Sequence, residues 1–404
     1  YNTTASANTA VGNLALTATT TGANNTGVGN NVLTANTTGT QNTAVGACAL
    51  DANTTAAQNT AVGVCALTTN TTGDCNAAVG YGSLLFNTTG SNNSAFGREA
   101  MYANTTASEN TGIGNAALQR NTTGATNTAL GHRGLKENTT GTSNVAVGAY
   151  ALKTNTTGGC NVGMGNNAFN CNTTGHSNVG IGHEALNCNT TACQNTAVGF
   201  KAGWSTTTGD DNVMIGNDAG CSITTGFTNT LVGQDAGCSI TTPEGNTFIG
   251  HSAAGNHVSG NNNIAIGINS GQDQVRDLTG SCTHNIVIGN NSSENAYIKI
   301  DWTVTSDLRD KTNIEDVPHG LNFVNQLNPI KFQFKKSRED DTPTGSVRYG
   351  FKAQDVLALE GENPVIIDNS DPENLKYKGE TLVPVLVNAI KELSAEIEEL
   401  KKNN

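Results

Sequence analysis

The chain has 404 residues, a formal net charge of −12, and only 13% charged and 5% aromatic residues. The acidic balance excludes a strongly basic nucleic-acid-binding protein, and the lack of any apolar run of about 18 residues excludes a membrane span. Glycine and the hydrophobic residues together make up about half of the chain, which is ordinary for a folded protein and argues against charge-driven disorder.

The composition changes near residue 300. The first 300 residues hold 42 of the 47 glycines and all ten cysteines, whereas 32 of the 54 charged residues lie in the last 104. This split predicts a repeat shaft over residues 1–295, a connector over 296–305 and a second domain over 306–404. Because the chain begins at Tyr1, inside a repeat and without Met, we expect a fragment or a processed product.

One glycine recurs every 17 residues from Gly12 to Gly267, and a further copy follows at Gly289. Asn always stands four residues before this glycine, an apolar residue stands immediately before it, and Thr, Val or Ile usually stands three before it. This alternation predicts a short β-strand with one face buried. The glycine suits a bend with positive φ or a close backbone approach.

The rest of the unit adds a second apolar edge and a turn. Ala and Leu follow three and four residues after the glycine, as in Ala49-Leu50, and Asn-Thr-Thr-Gly then provides turn chemistry. Helical hairpin repeats need about 33 residues or more, so the unit predicts a mostly β fold, a parallel β-solenoid or β-roll. Stacked copies would align the Asn column as an amide ladder and extend roughly 80 Å at ~4.8 Å per rung.

Units such as Asn195-Thr196-Ala197-Val198-Gly199 resemble the head repeats of trimeric autotransporter adhesins and the related repeats of tail-fibre proteins. That resemblance implies a left-handed parallel β-roll with three chains to a trimer. It covers about residues 1–295, and the repeat here is longer than theirs.

The pattern drifts towards its end. From Gly203 onward the Ala-Leu pair becomes Ala-Gly, and the Asn-Thr-Thr turn disappears at the same point. Residues 268–284 add five residues to one rung. This excursion is either a protruding recognition loop or a transition to a neck.

Three pairs of cysteines are spaced by one repeat, Cys48 with Cys65, Cys171 with Cys188, and Cys221 with Cys238. Adjacent rungs would place their Cα atoms ~4.8 Å apart, within the range of a disulfide, although a small residue filling a tight column explains the pattern as well. No Cys-x-x-Cys spacing indicates zinc, and we expect neither a metal nor a cofactor. Asn-Thr-Thr also reads as a glycosylation sequon, but turn chemistry accounts for it without a sugar.

After Trp302 the repeats stop. The stretch Ser306-Asp307-Leu308-Arg309-Asp310-Lys311-Thr312-Asn313-Ile314, the later Gly350-Phe351-Lys352-Ala353-Gln354-Asp355-Val356 and a closing apolar helix follow in that order. They resemble the C-terminal intramolecular chaperone domain of phage endosialidase tailspikes and other tail fibres, also found in the myelin regulatory factor of animals. The resemblance implies a small α+β domain that trimerises, assists folding and cleaves itself, with Ser306 as nucleophile, Lys311 as base and Ser306–Asp307 as the bond cut.

The chemistry can be stated from the residues alone. A serine hydroxyl needs a base, and a lysine can serve once desolvation favours its neutral form. Five residues of separation do not place two side chains on one helix face, so a loop or a trimer contact must bring Ser306 and Lys311 together.

The terminal helix carries two apolar heptad columns, Val383, Ile390 and Ile397 in one and Leu386, Leu393 and Leu400 in the other. They predict a coiled coil, and the alternative is a lone amphipathic helix packed on its own domain. Ile in the first column and Leu in the second formally favour two strands, whereas the resemblance implies three.

The sequence therefore predicts a homotrimeric tail fibre, located on a virion or an extracellular surface, that binds a host receptor or glycan and is anchored through a region before Tyr1. A cellular adhesin or extracellular filament built from the same parts is the alternative. A carbohydrate-degrading tailspike would need a cleft with paired carboxylates, and acidic residues in the shaft are sparse.

Overall fold

The computed structural model describes residues 4–257, 259–272, 278, 282–290, 292–293, 306–335, 338–370 and 372–403. The chain divides into two compact units, Tyr1–Ser292 and Ser293–Asn404. The predicted connector, 296–305, lies outside the described residues.

The first unit is a parallel β-solenoid, as predicted. Each rung contributes one three-residue strand, which pairs in parallel with the strand of the next rung. The register matches each residue with its equivalent one repeat later, so that Thr43 faces Thr60 and Val45 faces Val62. The strands are β1 Thr9–Val11, β2 Thr26–Val28, β3 Thr43–Val45, β4 Thr60–Val62, β5 Ala77–Val79, β6 Ser94–Phe96, β7 Thr111–Ile113, β8 Thr128–Leu130, β9 Val145–Val147, β10 Val162–Met164, β11 Val179–Ile181, β12 Thr196–Val198, β13 Val213–Ile215, β14 Thr230–Val232, β15 Thr247–Ile249, β16 Ile264–Ile266 and β17 Ile286–Ile288.

The sequence pattern suggests that the residues one and three positions before the repeated glycine face the core. The structure buries the opposite face of each strand. From β2 onward the central residue of each strand, such as Ala44, is buried, whereas its neighbours Thr43 and Val45 point outward. The small centre fits because a leucine from the same rung, Leu50, fills the interior and is fully buried. The apolar residue before each glycine is therefore a surface residue.

The repeated glycine meets both conditions that the sequence predicted. Gly97 has φ +140°, a conformation open mainly to glycine. A Cβ at this position would lie 2.5 Å from the carbonyl oxygen of Gly114 in the next rung. Any side chain in this column would therefore force neighbouring rungs apart.

The core leucines also adopt a left-handed backbone. Leu50, Leu118 and Leu152 have φ between 49° and 52° and are fully buried. Such a conformation costs a β-carbon-bearing residue roughly 1–2 kcal/mol, and burying a leucine side chain offsets this by about 1.5–3 kcal/mol. The turn therefore bends sharply and still delivers a large side chain to the core.

After residue 200, small and large residues exchange places within the core. Gly203, Gly220 and Gly237 take the place of the leucine, and large residues occupy the centres of the following strands: Met214, Leu231 and Phe248. A Cβ at Gly203 would lie 2.7 Å from the Cε of Met214. The two changes thus compensate each other in volume.

Two amide ladders run along the shaft. In the predicted one, the Oδ1 of Asn93 accepts from the backbone N–H and the side-chain amide of Asn110, whose Nδ2 also donates to the carbonyl of Gly124. The second ladder consists of the first residue of each Asn-Thr-Thr turn, as in Asn121 Nδ2 donating to Asn104 Oδ1 at 3.0 Å. Its ten members are fully buried: Asn36, Asn53, Asn70, Asn87, Asn104, Asn121, Asn138, Asn155, Asn172 and Asn189. Burial places these sequon amides out of reach of glycosylation in the folded shaft.

Within the part of the chain that the structure describes, no disulfide joins the members of the three predicted cysteine pairs. Cys48, Cys65, Cys221 and Cys238 are partly buried within their columns, and burial raises the pKa of the Cys221 and Cys238 thiols. A higher pKa means less thiolate and lower reactivity of these two thiols. Of the predicted excursion over 268–284, residues 273–277 and 279–281 lie outside the described residues.

The C-terminal unit has α+β structure, as predicted. Its elements are α1 Leu321–Val324, β18 Ile330–Lys335, β19 Pro343–Gly350, α2 Ala353–Glu360, β20 Ile367–Asp368, β21 Lys376–Tyr377 and α3 Leu382–Lys402. β18 and β19 form an antiparallel pair, as do β20 and β21. One small core holds the unit together: Phe323, Val356, Ile366, Ile367, Leu382 and Val385. Within the described part of the chain, no helix is long and apolar enough to cross a membrane.

Candidate auto-processing site

A tight turn places the side chains of Ser306 and Lys311 together. Leu308–Asp310 form a single 3-10 turn, and the N–H of Lys311 donates to the carbonyl of Leu308 at 3.1 Å. The chain thereby doubles back, and Lys311 Nζ donates to Ser306 Oγ at 2.8 Å. Because Nζ lies at hydrogen-bonding distance, the pair has the geometry that a serine and its base require.

Asp307 and Arg309 hold this turn. The Asp307 carboxylate caps the turn by accepting from the Arg309 N–H at 2.9 Å, and it also binds the Arg309 guanidinium, with Nη2 2.5 Å from Oδ2. The hydrogen bonds from the Arg309 side chain hold the pKa of Asp307 below its ordinary value. Two signature residues therefore shape the turn that carries the serine and the lysine.

The site is open to solvent within a single chain. Ser306 and Lys311 are both exposed, and the apolar side chains of Leu308 and Ile314, which are close to them in sequence, are 68% and 66% exposed. A lysine can accept a proton only in its neutral form, which removal from water favours. The single chain therefore positions the two side chains without burying them.

The terminal helix α3 binds the segment that follows the signature. Glu392 Oε2 accepts from the N–H of Leu321 at 2.6 Å, and Asn388 Nδ2 donates to the carbonyl of His319 at 3.0 Å. At Gly320, between these two contacts, a Cβ would lie 2.1 Å from the Glu392 carboxylate. The segment His319–Leu321 is thus fixed against a helix some 70 residues later in the chain. The sequence carried no local signal for Asn388 or Glu392.

The second motif supports the core of the domain. Val356 in α2 is buried, and Phe351 packs against the same cluster. At the end of α2, the Glu360 carboxylate accepts from three successive backbone N–H groups, Val365, Ile366 and Ile367, at 2.6–2.9 Å. This motif positions α2 and β20 rather than adding groups to the site.

Helix α3 has two apolar faces. Leu382, Val385 and Ala389 are buried against the C-terminal unit. The residues of the two heptad columns are 38–63% exposed: Val383, Leu386, Ile390, Leu393, Ile397 and Leu400. The helix therefore packs on its own domain and still leaves both heptad columns uncovered.

A scan against protein families matches residues 306–363 to the family described as chaperone of endosialidase. Over these residues the C-terminal unit is similar to the chaperone-of-endosialidase family. The match begins at Ser306, includes the turn and the second motif, and ends before α3. No curated protein matches the chain.

Among the described residues, no group of three or more His, Cys, Asp or Glu side chains could hold a metal ion. In the shaft, one carboxylate of the acidic pair Asp210 and Asp211 already has a structural role, since Asp210 Oδ1 accepts from the backbone N–H of Cys193 in the preceding rung. The pair therefore does not provide the facing carboxylates that glycoside hydrolysis requires.

Proposed function

We propose that this chain forms a homotrimeric fibre, a tail fibre or other receptor-binding appendage, whose C-terminal domain drives trimerisation and folding and then cleaves itself off at Ser306. The observation that carries the proposal is the 2.8 Å contact between Lys311 Nζ and Ser306 Oγ at the start of the matched domain. The β-solenoid before it supplies the shaft. We place the fibre on a virion or an extracellular surface, where it would bind a host receptor or glycan.

The chemistry is a single turnover. Ser306 Oγ attacks a peptide carbonyl carbon and passes its proton to the neutral Lys311 amine, the C–N bond breaks, and the departing amine takes up a proton. The acyl group is then held as an ester on Oγ. Water hydrolyses that ester and restores the serine hydroxyl.

Assembly should precede cleavage because the single chain leaves the pair in water. Packing of a neighbouring copy over Leu308 and Ile314, which are exposed apolar residues, would bury Ser306 and Lys311 and favour the neutral amine. The exposed heptad columns of α3 provide a surface on which three copies can associate.

Ser306 can attack a carbonyl of its own chain or one of another copy, and ring size decides which bond each route can cut. Within one chain, Oγ reaches the preceding carbonyl through a five-membered ring and would release a 99-residue product beginning at Ser306. Attack on its own carbonyl would need a strained four-membered ring. The Ser306–Asp307 cut predicted from the sequence, which releases 98 residues, therefore requires Ser306 of another copy.

The test is to express the chain intact and weigh its products by mass spectrometry. The wild type should yield two fragments that meet at Ser306, and Ser306→Ala or Lys311→Ala should leave one full-length species. Lys331→Ala, an exposed lysine on β18, is the matched control and should be cut normally. An uncut wild type that is folded and trimeric would refute the proposed dyad.

Co-expression of wild-type and tagged Ser306→Ala chains separates the two routes. If attack crosses between copies, the tagged variant chains in mixed trimers will be cut before Asp307. If attack stays within one chain, only wild-type chains will be cut, and their C-terminal fragment will begin at Ser306.

A further inference from the structure

The outward face of the shaft strands carries no charge along its whole length. We name the first and third residues of β1–β17 the strand-face stripe. None of its 34 positions is Asp, Glu, Lys, Arg or His, and the third residue of every strand is apolar. The lack of charge is not a general property of the shaft surface, because the column just after the glycine holds Arg98, His132 and His183.

The stripe is exposed in the single chain. The third residues of ten strands between β3 and β16 are each 37–46% exposed: Val45, Val62, Phe96, Ile113, Leu130, Met164, Ile181, Ile215, Ile249 and Ile266. Their exposure is nearly the same from rung to rung because each strand repeats its neighbour in register. Packing inside the shaft does not require these side chains to be apolar, since they lie outside its core.

The area of the stripe matches that of a stable interface. Strands spaced ~4.8 Å apart over 17 rungs give a length of roughly 80 Å, and two outward residues with their side chains span about 10 Å. The resulting area of about 800 Å² equals the share of one partner in a standard protein interface.

The absence of charge points to copies of the same chain as the partner. In a cyclic assembly with the stripes facing the axis, each residue meets its own equivalents at the same level. A charged residue would therefore face like charges at every level, which is unfavourable in an interface. A glycan or an unrelated protein would instead be matched by groups that differ from rung to rung, whereas the stripe holds only threonine, serine and apolar residues.

We propose that the strand-face stripe is the surface through which three copies of the shaft pack around a common axis. This inference rests on the proposed trimer and adds which face of the shaft forms it. It also gives a reason why the column before each glycine is apolar although it is not part of the core.

Photo-cross-linking tests this placement with little disturbance to the fold. p-Benzoylphenylalanine would replace Phe96 on the stripe, and in a matched chain it would replace Tyr81, an aromatic residue beyond the glycine bend that is 56% exposed. Irradiation should give covalent dimers and trimers on a denaturing gel for position 96 only. Light scattering on each preparation first establishes the oligomeric state.

The outcomes separate this inference from the proposed function. Trimers that cross-link through position 81 and not through position 96 would overturn the stripe as the interface and leave the trimer intact. A folded chain that is monomeric at every stage would overturn both. Cross-links at position 96 to an unrelated protein, with none between copies, would assign the stripe to another partner and refute the inference.

A charge series provides a second measurement on three consecutive rungs. Lysine at Val45, Val62 and Val79 would place like charges on the stripe, and lysine at Ala47, Val64 and Tyr81 would place the same charges on the neighbouring column. Val62 and Val64 make a close match, because they are 37% and 47% exposed. The stripe variant should dissociate on the order of a hundredfold faster than the wild type, and the control within about twofold. Equal rates for the two variants would contradict the proposal.

Discussion

The shaft and the C-terminal unit are stabilised by opposite kinds of contact. In the shaft almost every long-range hydrogen bond joins one rung to the next, as Asn121 bonds Asn104, so each rung is stabilised by neighbours that repeat its structure. The C-terminal unit has a small core, and its contacts are particular, such as Glu392 with Leu321, which are 71 residues apart. The contacts of the shaft therefore recur from rung to rung, whereas each of these contacts in the C-terminal unit occurs once.

This difference explains why one chain would need both. Three copies of a repeating stripe can slide by one rung and regain nearly the same contacts, so the shaft specifies the register between chains weakly. A C-terminal unit that associates in only one way would set the register before the shaft closes.

Deleting residues 307–404 from the gene should have the largest effect. We expect aggregated or polydisperse shafts, because nothing then fixes the alignment of the copies. Shafts that lose the same residues by cleavage after folding should stay trimeric and resist denaturant, since unfolding must break stacked rungs together. Light scattering compares the two preparations. Equally well-formed trimers from the truncated gene would show that the shaft sets its own register.

A substitution in the glycine column should break the stack at one rung. Gly97→Ala combines a φ of +140° with a Cβ 2.5 Å from a backbone oxygen, so we expect destabilisation by about 3 kcal/mol or more. Gly82→Ala is the control: its φ is +61°, the nearest atom to its Cβ would be 3.5 Å away, and neighbouring rungs already place Cys65 and Glu99 in its column. Denaturant unfolding rates of the mature shaft measure both, and similar losses would contradict the close-approach argument.

The repeat made the shaft predictable, because a constraint that recurs 17 times is visible without a structure. The period, the parallel sheet, the first Asn ladder and the role of the glycine all followed from it. The buried strand face did not, since hydrophobicity favours Val45 over Ala44 and only the position of Leu50 reveals that the interior needs a small residue. The second ladder was hidden because Asn in an Asn-Thr-Thr turn also has a local explanation.

The C-terminal site was predictable only in part. The signature drew attention to Ser306 and Lys311, but the turn that joins them depends on Asp307 and Arg309 acting together. Asn388 and Glu392 could not be found from sequence spacing, because their partners lie about 70 residues earlier and are backbone groups. Contacts of this kind have no periodic signal.

Weakening the contact between α3 and His319–Leu321 should slow cleavage more than assembly. Asn388→Asp keeps the shape of the side chain but replaces a donor with a carboxylate facing the carbonyl of His319, at a cost of about 1–3 kcal/mol. We expect slower cleavage in chains that light scattering still finds trimeric. Glu392→Gln keeps an acceptor for the Leu321 N–H and should cleave faster than Glu392→Ala. Normal cleavage in Asn388→Asp would show that this contact does not position the site.

Extending the second Asn ladder should give the smallest effect, and one of opposite sign. The ladder stops at Asn189, whose Oδ1 is buried without a hydrogen-bond partner, and the next residue in the column, Thr206, has a buried hydroxyl in the same condition. Thr206→Asn would supply an amide that donates to Asn189 Oδ1, as each member from Asn53 onward does to the Asn before it, and should stabilise the shaft by about 1–2 kcal/mol. Thr206→Val, which removes the hydroxyl without adding a donor, is the control, and slower unfolding in the Asn variant than in both the Val variant and the wild type is the expected result. If Thr206→Asn instead unfolds faster than Thr206→Val, the column after Asn189 is too tight for the amide. The replacement of Asn by Thr206, Ile223 and Ile240 in this column would then reflect the exchange of small and large residues in the core and not a lost hydrogen bond.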